Sequence, residues 1–381
     1  MSTNHVPSPV NDEEAITSVE DRIFVASQWQ LMWWRFRRHK LAIVSAVVII
    51  ALFTVALFCE FFAVEDPQFH QASYSFAPPH RVYFFRDGGI HPYIYGVEFG
   101  RDPETLQMIF KFNKDKVYPV HFFVHGHPYR VLGLFRSDIH IMGLAPTTDR
   151  VRLVLLGTDR LGRDMWSRLM YGTRISMSIG LIGVALSLTL GIVLGGISGF
   201  YGGIVDMAIQ RVIEFLRSIP TVPLWMSLAA AMPRDWPPVR VYFGITIILS
   251  LIGWTGMARV VRGRFLSLRE EDFVMAARLC GSAEMRIILV HMVPSFLSHI
   301  IASVTLAIPG MILSETSLSF LNLGLRPPVI SWGVLLQEAQ NIRTVAQAPW
   351  LLLPGLAVII AVLAYNFLGD GLRDAADPYA R

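Results

Sequence analysis

The sequence predicts an all-α polytopic membrane protein with six spans and a β-rich insert between the first two. Three observations carry this. Of 381 residues, 53% are hydrophobic and only 16% charged, where a soluble domain carries about 25% charged residues. Apolar runs near the ~20 residues that a bilayer core requires recur along the chain. Between the first runs lies a long interval that alternates apolar and polar residues instead.

The elements follow in order. Residues 1–20 carry Pro7, Pro9 and a cluster of acids with few large apolar residues, which predicts a disordered tail and no cleavable signal peptide. Ile23 to Phe36 reads as an amphipathic helix with Trp29, Trp33 and Trp34, ending in Arg35, Arg37, Arg38 and Lys40. Aromatic rings and basic groups at that point suit a helix lying on lipid headgroups. Hydropathy places spans at 41–63, 174–199, 207–231, 241–261, 291–314 and 351–369. The basic cluster at 35–40 sets the N-terminus in the cytoplasm, and six spans return the C-terminus there. The loop 262–290 is then cytoplasmic too, with Arg262, Arg264, Arg269, Arg278 and Arg286, whereas the link 232–240 has only Arg234 and Arg240.

These assignments divide the chain into a cytoplasmic tail and amphipathic helix at 1–40, a first span at 41–63 and an exported segment at 64–173. A five-helix core follows at 174–371, then a cytoplasmic tail at 372–381. Within the exported segment, Arg81-Val-Tyr-Phe-Phe, Leu106-Gln-Met-Ile-Phe-Lys-Phe and Tyr118-Pro-Val-His-Phe-Phe-Val-His alternate. With Gly88-Gly89 and Gly126 as turn signals, a mainly antiparallel β domain is expected at about 67–145. A second exported stretch, 315–350, holds Pro327-Pro328 and a short helix around Trp332 to Asn341.

Several chemistries are excluded. The net charge of +4 comes from arginines beside apolar spans, with no aromatic-interleaved basic tract, so nucleic acid is not a partner. Cys59 and Cys280 give no disulfide framework. None of the four lysines, Lys40, Lys111, Lys114 and Lys116, sits in the Gly-x-x-x-x-Gly-Lys-Ser/Thr loop that cradles phosphate, so the chain has no ATPase site of its own. No Ser-His-Asp set, His-Glu-x-x-His or paired carboxylate points to catalysis. His121, His125 and His127, with His140 downstream, form the one metal-like cluster; without an interleaved acid or Cys, surface histidines are the plainer reading and no metal is expected.

Four residues are candidates for a translocation path or gate. Glu214 and Arg217 stand three apart near the start of the third span, as a pathway pair or as part of an interfacial pair that includes Arg211. Pro220, with Pro223, should kink that span. Glu315, placed just past the fifth span, either gates the exported face or ends a helix.

Ordered motifs then carry a resemblance. Arg35-Phe-Arg-Arg-His-Lys precedes the first span, and Gly157-Thr-Asp-Arg-Leu-Gly-Arg-Asp164 leads through Tyr171-Gly-Thr-Arg-Ile-Ser into the second. Gly199-Phe-Tyr-Gly-Gly-Ile-Val-Asp206, Leu318-Ser-Phe-Leu-Asn-Leu-Gly-Leu with Ser331-Trp-Gly, and Gly369-Asp-Gly-Leu-Arg-Asp-Ala-Ala-Asp-Pro378 follow. The chain resembles the C-type permease subunit of bacterial ABC importers of the oligopeptide/dipeptide/nickel group, over roughly 25–65 and 150–381. The loop 262–290 is similar to that family's Glu-Ala-Ala loop: Ala276, Ala277, Gly281 and Pro294 fit, while Met275, His291 and Val293 stand where Glu, Ile and Leu are usual. The resemblance implies a cytoplasmic coupling helix, with Asp272, Met275, Ala276, Ala277, Arg278 and Gly281 meeting a cleft on an ATPase subunit. It further implies a bacterial inner-membrane protein surrounded by lipid, a second homologous permease, two ATPase subunits that bind ATP and Mg, and an extracytoplasmic binding protein. No cofactor is expected in this chain. Peptides are the implied substrate, with oligosaccharides, opines or metal chelates as alternatives; a sensor or a secondary transporter is the rival class.

Overall fold

The computed structural model describes residues 28–86, 89–101, 103, 108–145, 151–233 and 235–376. The expected N-terminal tail, the start of the amphipathic helix at Ile23, Gly88, Leu106, Arg234 and Pro378 lie outside the described residues.

Helix α1 (Gln28–Arg38) is separated by His39 from α2 (Lys40–Leu57), and the short α3 (Cys59–Phe62) follows. A sheet then intervenes: β1 (Tyr83–Arg86), β2 (Gly89–Arg101), β3 (Met108–Val131) and β4 (Phe135–Leu144), antiparallel in the order β1-β2-β3-β4. The helical core comprises α4 (Met165–Tyr201), α5 (Gly203–Ser218), α6 (Thr221–Ala230), α7 (Pro238–Leu268), α8 (Asp272–Leu279), α9 (Leu297–Phe320), α10 (Trp332–Leu336), α11 (Ile342–Gln347) and α12 (Leu353–Ala376).

Among the described residues, five helical segments are long and apolar enough to cross a membrane: Lys40–Leu57, Met165–Tyr201, Pro238–Leu268, Ile300–Phe320 and Pro349–Ala375. The sixth expected span, 207–231, is instead two helices. Ile219 and Pro220 are extended, at φ −88°, ψ 129° and φ −56°, ψ 125°. A residue before proline is pushed out of the α region, and Pro220 has no N–H to continue the ladder, so this is a break and not the kink expected. Pro223 falls in the first turn of α6, where it costs no bond. Only α6 is predominantly apolar, and its ten residues reach about 15 Å, half of a bilayer core.

Two other boundaries shift. Asp164 caps α4, its Oδ2 accepting the Ser167 N–H at 2.7 Å, so the helix starts well before 174. A π-helical turn at Ile287–Met292 and Pro294 precede α9, which places Glu315 inside that helix and not beyond it.

The close approach of α4 and α7 is set by Gly191, Gly195 and Gly199, four residues apart on one face of α4. A Cβ on Gly195 would stand 2.4 Å from the Ala258 carbonyl oxygen and 2.8 Å from Ala258 Cα. Helices in lipid gain little from hydrophobic burial against each other, so such small-residue faces, which maximise dispersion contact, supply the association. The main core surrounds this pair with Met177, Ile179, Leu249, Ile312, Trp332 and Ala361.

In the sheet, β3 pairs with β2 over Met108–Pro119 and with β4 over Val120–Val131. Gly126 was expected at a turn; it lies within β3 at a register shift, with the His140 ring packed over it, and the chain turns at Leu132–Leu134 instead. His140 also fixes the sheet to the end of the first span: Nδ1 lies 2.7 Å from the Ala63 carbonyl oxygen and 3.1 Å from that of Glu60. Val64, at the entry to the insert, shares a small cluster with Ile94, Tyr118, Val120 and Leu153, joined by Leu144 and Val151 at the exit.

His80 is buried beside this cluster, and its Nδ1 accepts the Val154 N–H at 3.0 Å. Burial pushes its pKa down from 6.5 to about 4. Below pH ~6.5 the unfolded chain takes up a proton that the folded chain refuses until about pH 4, so stability present above 6.5 is lost as the pH falls through that window. The total is about 3 kcal/mol at 1.36 kcal/mol per pH unit. Hydrogen exchange at amides 151–155, corrected for intrinsic rates, should accelerate from pH 6.5 to 4 in the parent and stay level in His80→Gln. Equal acceleration in both would show that His80 does not govern it.

Candidate docking helix and membrane cavity

Helix α8 begins at Glu271, whose backbone is extended, and puts Asp272 in the first turn and Arg278 in the last. Both charges oppose the helix dipole favourably. It ends in a Schellman motif: Ser282 N–H donates to Ala277 O at 3.1 Å and Gly281 N–H to Arg278 O at 2.9 Å. Gly281 sits at φ +72°, which a side chain would strain.

The helix has two faces. Val274 is fully buried and Ala277 half-buried, packed in a cluster with Phe200, Phe265, Ile287, Ile288 and Met292. Arg278 covers the Phe200 ring at 4.6 Å from its centroid. The opposite face exposes Asp272, Met275, Ala276 and Leu279, flanked by Phe273 and Cys280; Leu279 is 87% exposed. Of the residues expected to meet a partner, Asp272, Met275 and Ala276 face outward. Ala277 holds the helix on its own chain, and Gly281 shapes its exit.

Sequence reasoning missed what fixes this region to the bundle. Arg262 at the end of α7 grips Asp206 in α5 through Nε and Nη2, both at 2.5 Å, and Ser198 Oγ donates to the same carboxylate. The available signal was an acid in the first turn after Gly202-Gly203 and an arginine closing a span.

Glu214 pairs with Arg211 at 2.7 Å, not with Arg217. Arg217 instead lines a cavity of about 430 Å³ bounded by α4, α7, α9 and the α5–α6 break. Pro220 makes that break. Glu315 is completely buried, and its carboxylate accepts from Ser331 at 2.7 Å, Ser319 at 2.8 Å and Ser176 at 3.4 Å. It therefore joins α4, α9 and the N-terminus of α10 through hydroxyls alone. Nearby, fully buried Asp159 accepts from Arg163 and Arg168, and Glu338 accepts from the Arg160 N–H at 3.1 Å. That network gives Gly157–Asp164 its physical purpose.

The histidines do not assemble. His125 meets Asp138 at 2.9 Å, His140 faces backbone carbonyls, and the His127 ring lies 4.4 Å from that of His140, tilted by 33°. Among the described residues no group of three His, Cys, Asp or Glu could hold a metal ion.

The comparisons with known proteins agree with the ordered motifs. Residues 191–381, half of the chain, match the family of binding-protein-dependent transport system inner membrane components. The chain belongs to that family. Residues 27–79 of this permease match the N-terminal TM domain of oligopeptide transport permease C. The permease is similar to the oligopeptide transport system permease protein OppC of Haemophilus influenzae, 39% identical over 246 residues, or 64% of this chain and 76% of that one. It is also similar to the dipeptide transport system permease protein DppC of Bacillus subtilis, 35% identical over 248 residues, 65% of this chain and 74% of that one. Among solved structures, an inward-facing MetNI methionine ABC transporter overlaps 55% of this chain and 97% of its own at 17% identity and a TM-score of 0.43. The permease is a multi-pass membrane transport subunit, and ATP hydrolysis belongs to a separate subunit.

Proposed function

We propose that this permease forms the membrane path of an ATP-driven, binding-protein-dependent importer of oligopeptides or dipeptides, and that α8 is its coupling helix. The observation that carries the coupling role is the outward face of α8, apolar at Phe273, Met275 and Leu279 and held rigidly by the buried Val274 side. A short helix exposing three large apolar side chains beside the membrane is a docking element. The peptide substrate rests on the relatives named above. In this reading α8 and both termini lie in the cytoplasm, while the insert at about 67–145 and the stretch 315–350 face the exported side and meet the binding protein. A second homologous permease, two ATPase subunits and that binding protein complete the assembly in a bacterial inner membrane. The α5–α6 pair is the sixth membrane-embedded element, completed against the second permease. Glu315 and its hydroxyls hold the exported stretch onto α4 and α9 as part of the gate.

Cys280, exposed at the end of α8, gives the test, because Cys59 is buried. A thiol cross-linker on isolated membranes should join Cys280 to an ATPase subunit, and the adduct should vanish in Cys280→Ser. An abundant, folded permease that captures no ATPase subunit would end the coupling assignment.

A further inference from the structure

The cavity beside the α5–α6 break is lined by residues from the middle of each long helix: Ser187 in α4, Thr255 in α7 and Gly310 in α9. It therefore sits at mid-depth of the bundle. Its volume, about 430 Å³, falls within the ~300–1,000 Å³ of small-molecule sites. The walls are apolar except for hydroxyls and a single cation, Arg217. Among the described residues no carboxylate pairs with Arg217, since Glu214 is taken by Arg211. The Trp225 side chain lines the same wall with its carbon face, its indole N–H being buried away from the open space. Gly310, also in the wall, leaves open space where a Cβ would stand, with no heavy atom within 4 Å.

A guanidinium at membrane depth is costly without a partner, and its fork of N–H donors matches a carboxylate. Arg217 is the donor awaiting an acceptor, because the Ser187, Thr255 and Ser314 hydroxyls already donate to the Ser250, Ile252 and Gly310 carbonyls. We propose that this cavity receives the C-terminal carboxylate of a peptide in transit, with Arg217 as the group that meets it. The inference rests on the peptide reading given under Proposed function.

The test uses the complete transporter with its binding protein, and compares uptake of a labelled tripeptide with that of its C-terminal amide. The binding protein is the same for every permease variant, so its own preference cancels in the acid-to-amide ratio. Arg217→Gln should lower uptake of the acid about tenfold, the worth of one charge-assisted contact, and that of the amide less than about twofold. Arg217→Lys should restore part of the acid uptake. Gly310→Leu, which fills the cavity without touching Arg217, should lower uptake of both peptides while ATPase subunits still co-purify. An unchanged ratio in Arg217→Gln overturns the proposal: if both fall together, Arg217 serves the fold or a lipid phosphate, and if neither falls it serves nothing here. Normal uptake in Gly310→Leu overturns it independently, even if Arg217→Gln fails to assemble. A wild-type transporter that imports neither peptide would remove the peptide reading itself, and this inference with it.

Discussion

Gly195→Leu is expected to leave almost no folded permease in the membrane. The new side chain would meet the backbone of Ala258, whose carbonyl oxygen and Cα lie 2.4 and 2.8 Å from the Cβ position. Backbone cannot rotate aside as a side chain does, so α4 and α7 would have to separate. A Cβ on Gly191 or Gly199 would likewise stand 2.6 Å from α7, so separation at one glycine forfeits contact at all three. Overpacking alone costs about 1–3 kcal/mol, and the lost contact of the helix pair adds to it. That is a large part of a typical stability of about 5–15 kcal/mol. Gly263→Leu in α7, with open space at its Cβ, is the control. Membrane yield and thermal melting in detergent decide the matter: a Gly195→Leu protein that melts with the parent would show that the two backbones do not meet there.

Phe273→Glu combined with Leu279→Glu should abolish coupling and leave the fold intact. Both side chains are exposed, and surface changes rarely move stability by more than about 0.5 kcal/mol. Placed at the centre of an interface, two desolvated carboxylates without partners would cost several kcal/mol, or about a hundredfold or more in binding. Peptide uptake and co-purification of ATPase subunits should both collapse, with melting unchanged. Met275→Glu on the same face introduces the residue usual in the resembling family and should be tolerated. Normal uptake by the double variant would mean that the outer face of α8 docks nothing.

Much of this architecture was legible in the sequence because it is written locally. Apolar length marks a membrane helix, alternation marks a strand, and a small-residue helix ended by glycine was readable at Ala276–Gly281. Hydropathy misled at 207–231, where averaging over a window hid the difference between a charged, amphipathic α5 and an apolar α6. Two prolines in an apolar run suggest bends, although the restriction that Pro220 places on Ile219 ends the helix outright. Glu214 had a cation three residues away on either side, and sequence order favours the acid preceding the base. The structure pairs it the other way, and Arg217 lies along the cavity wall. Other features depend on residues far apart in the chain. Asp206 and Arg262 are 56 positions apart, and Ser176 and Glu315 are 139 apart. No periodicity encodes such partners; only the packing of α4 against its neighbours brings them together.

The chain leaves the helical bundle at Val64 and returns through Leu144 and Val151 to the same cluster of side chains. A segment whose two ends adjoin behaves as a graft. Its length, loops and surface can be rewritten, or exchanged for those of another lineage, without altering the spacing of a single membrane helix. The sheet can thus change its outer surface while the bundle beneath it stays under the stricter discipline of close-packed glycines.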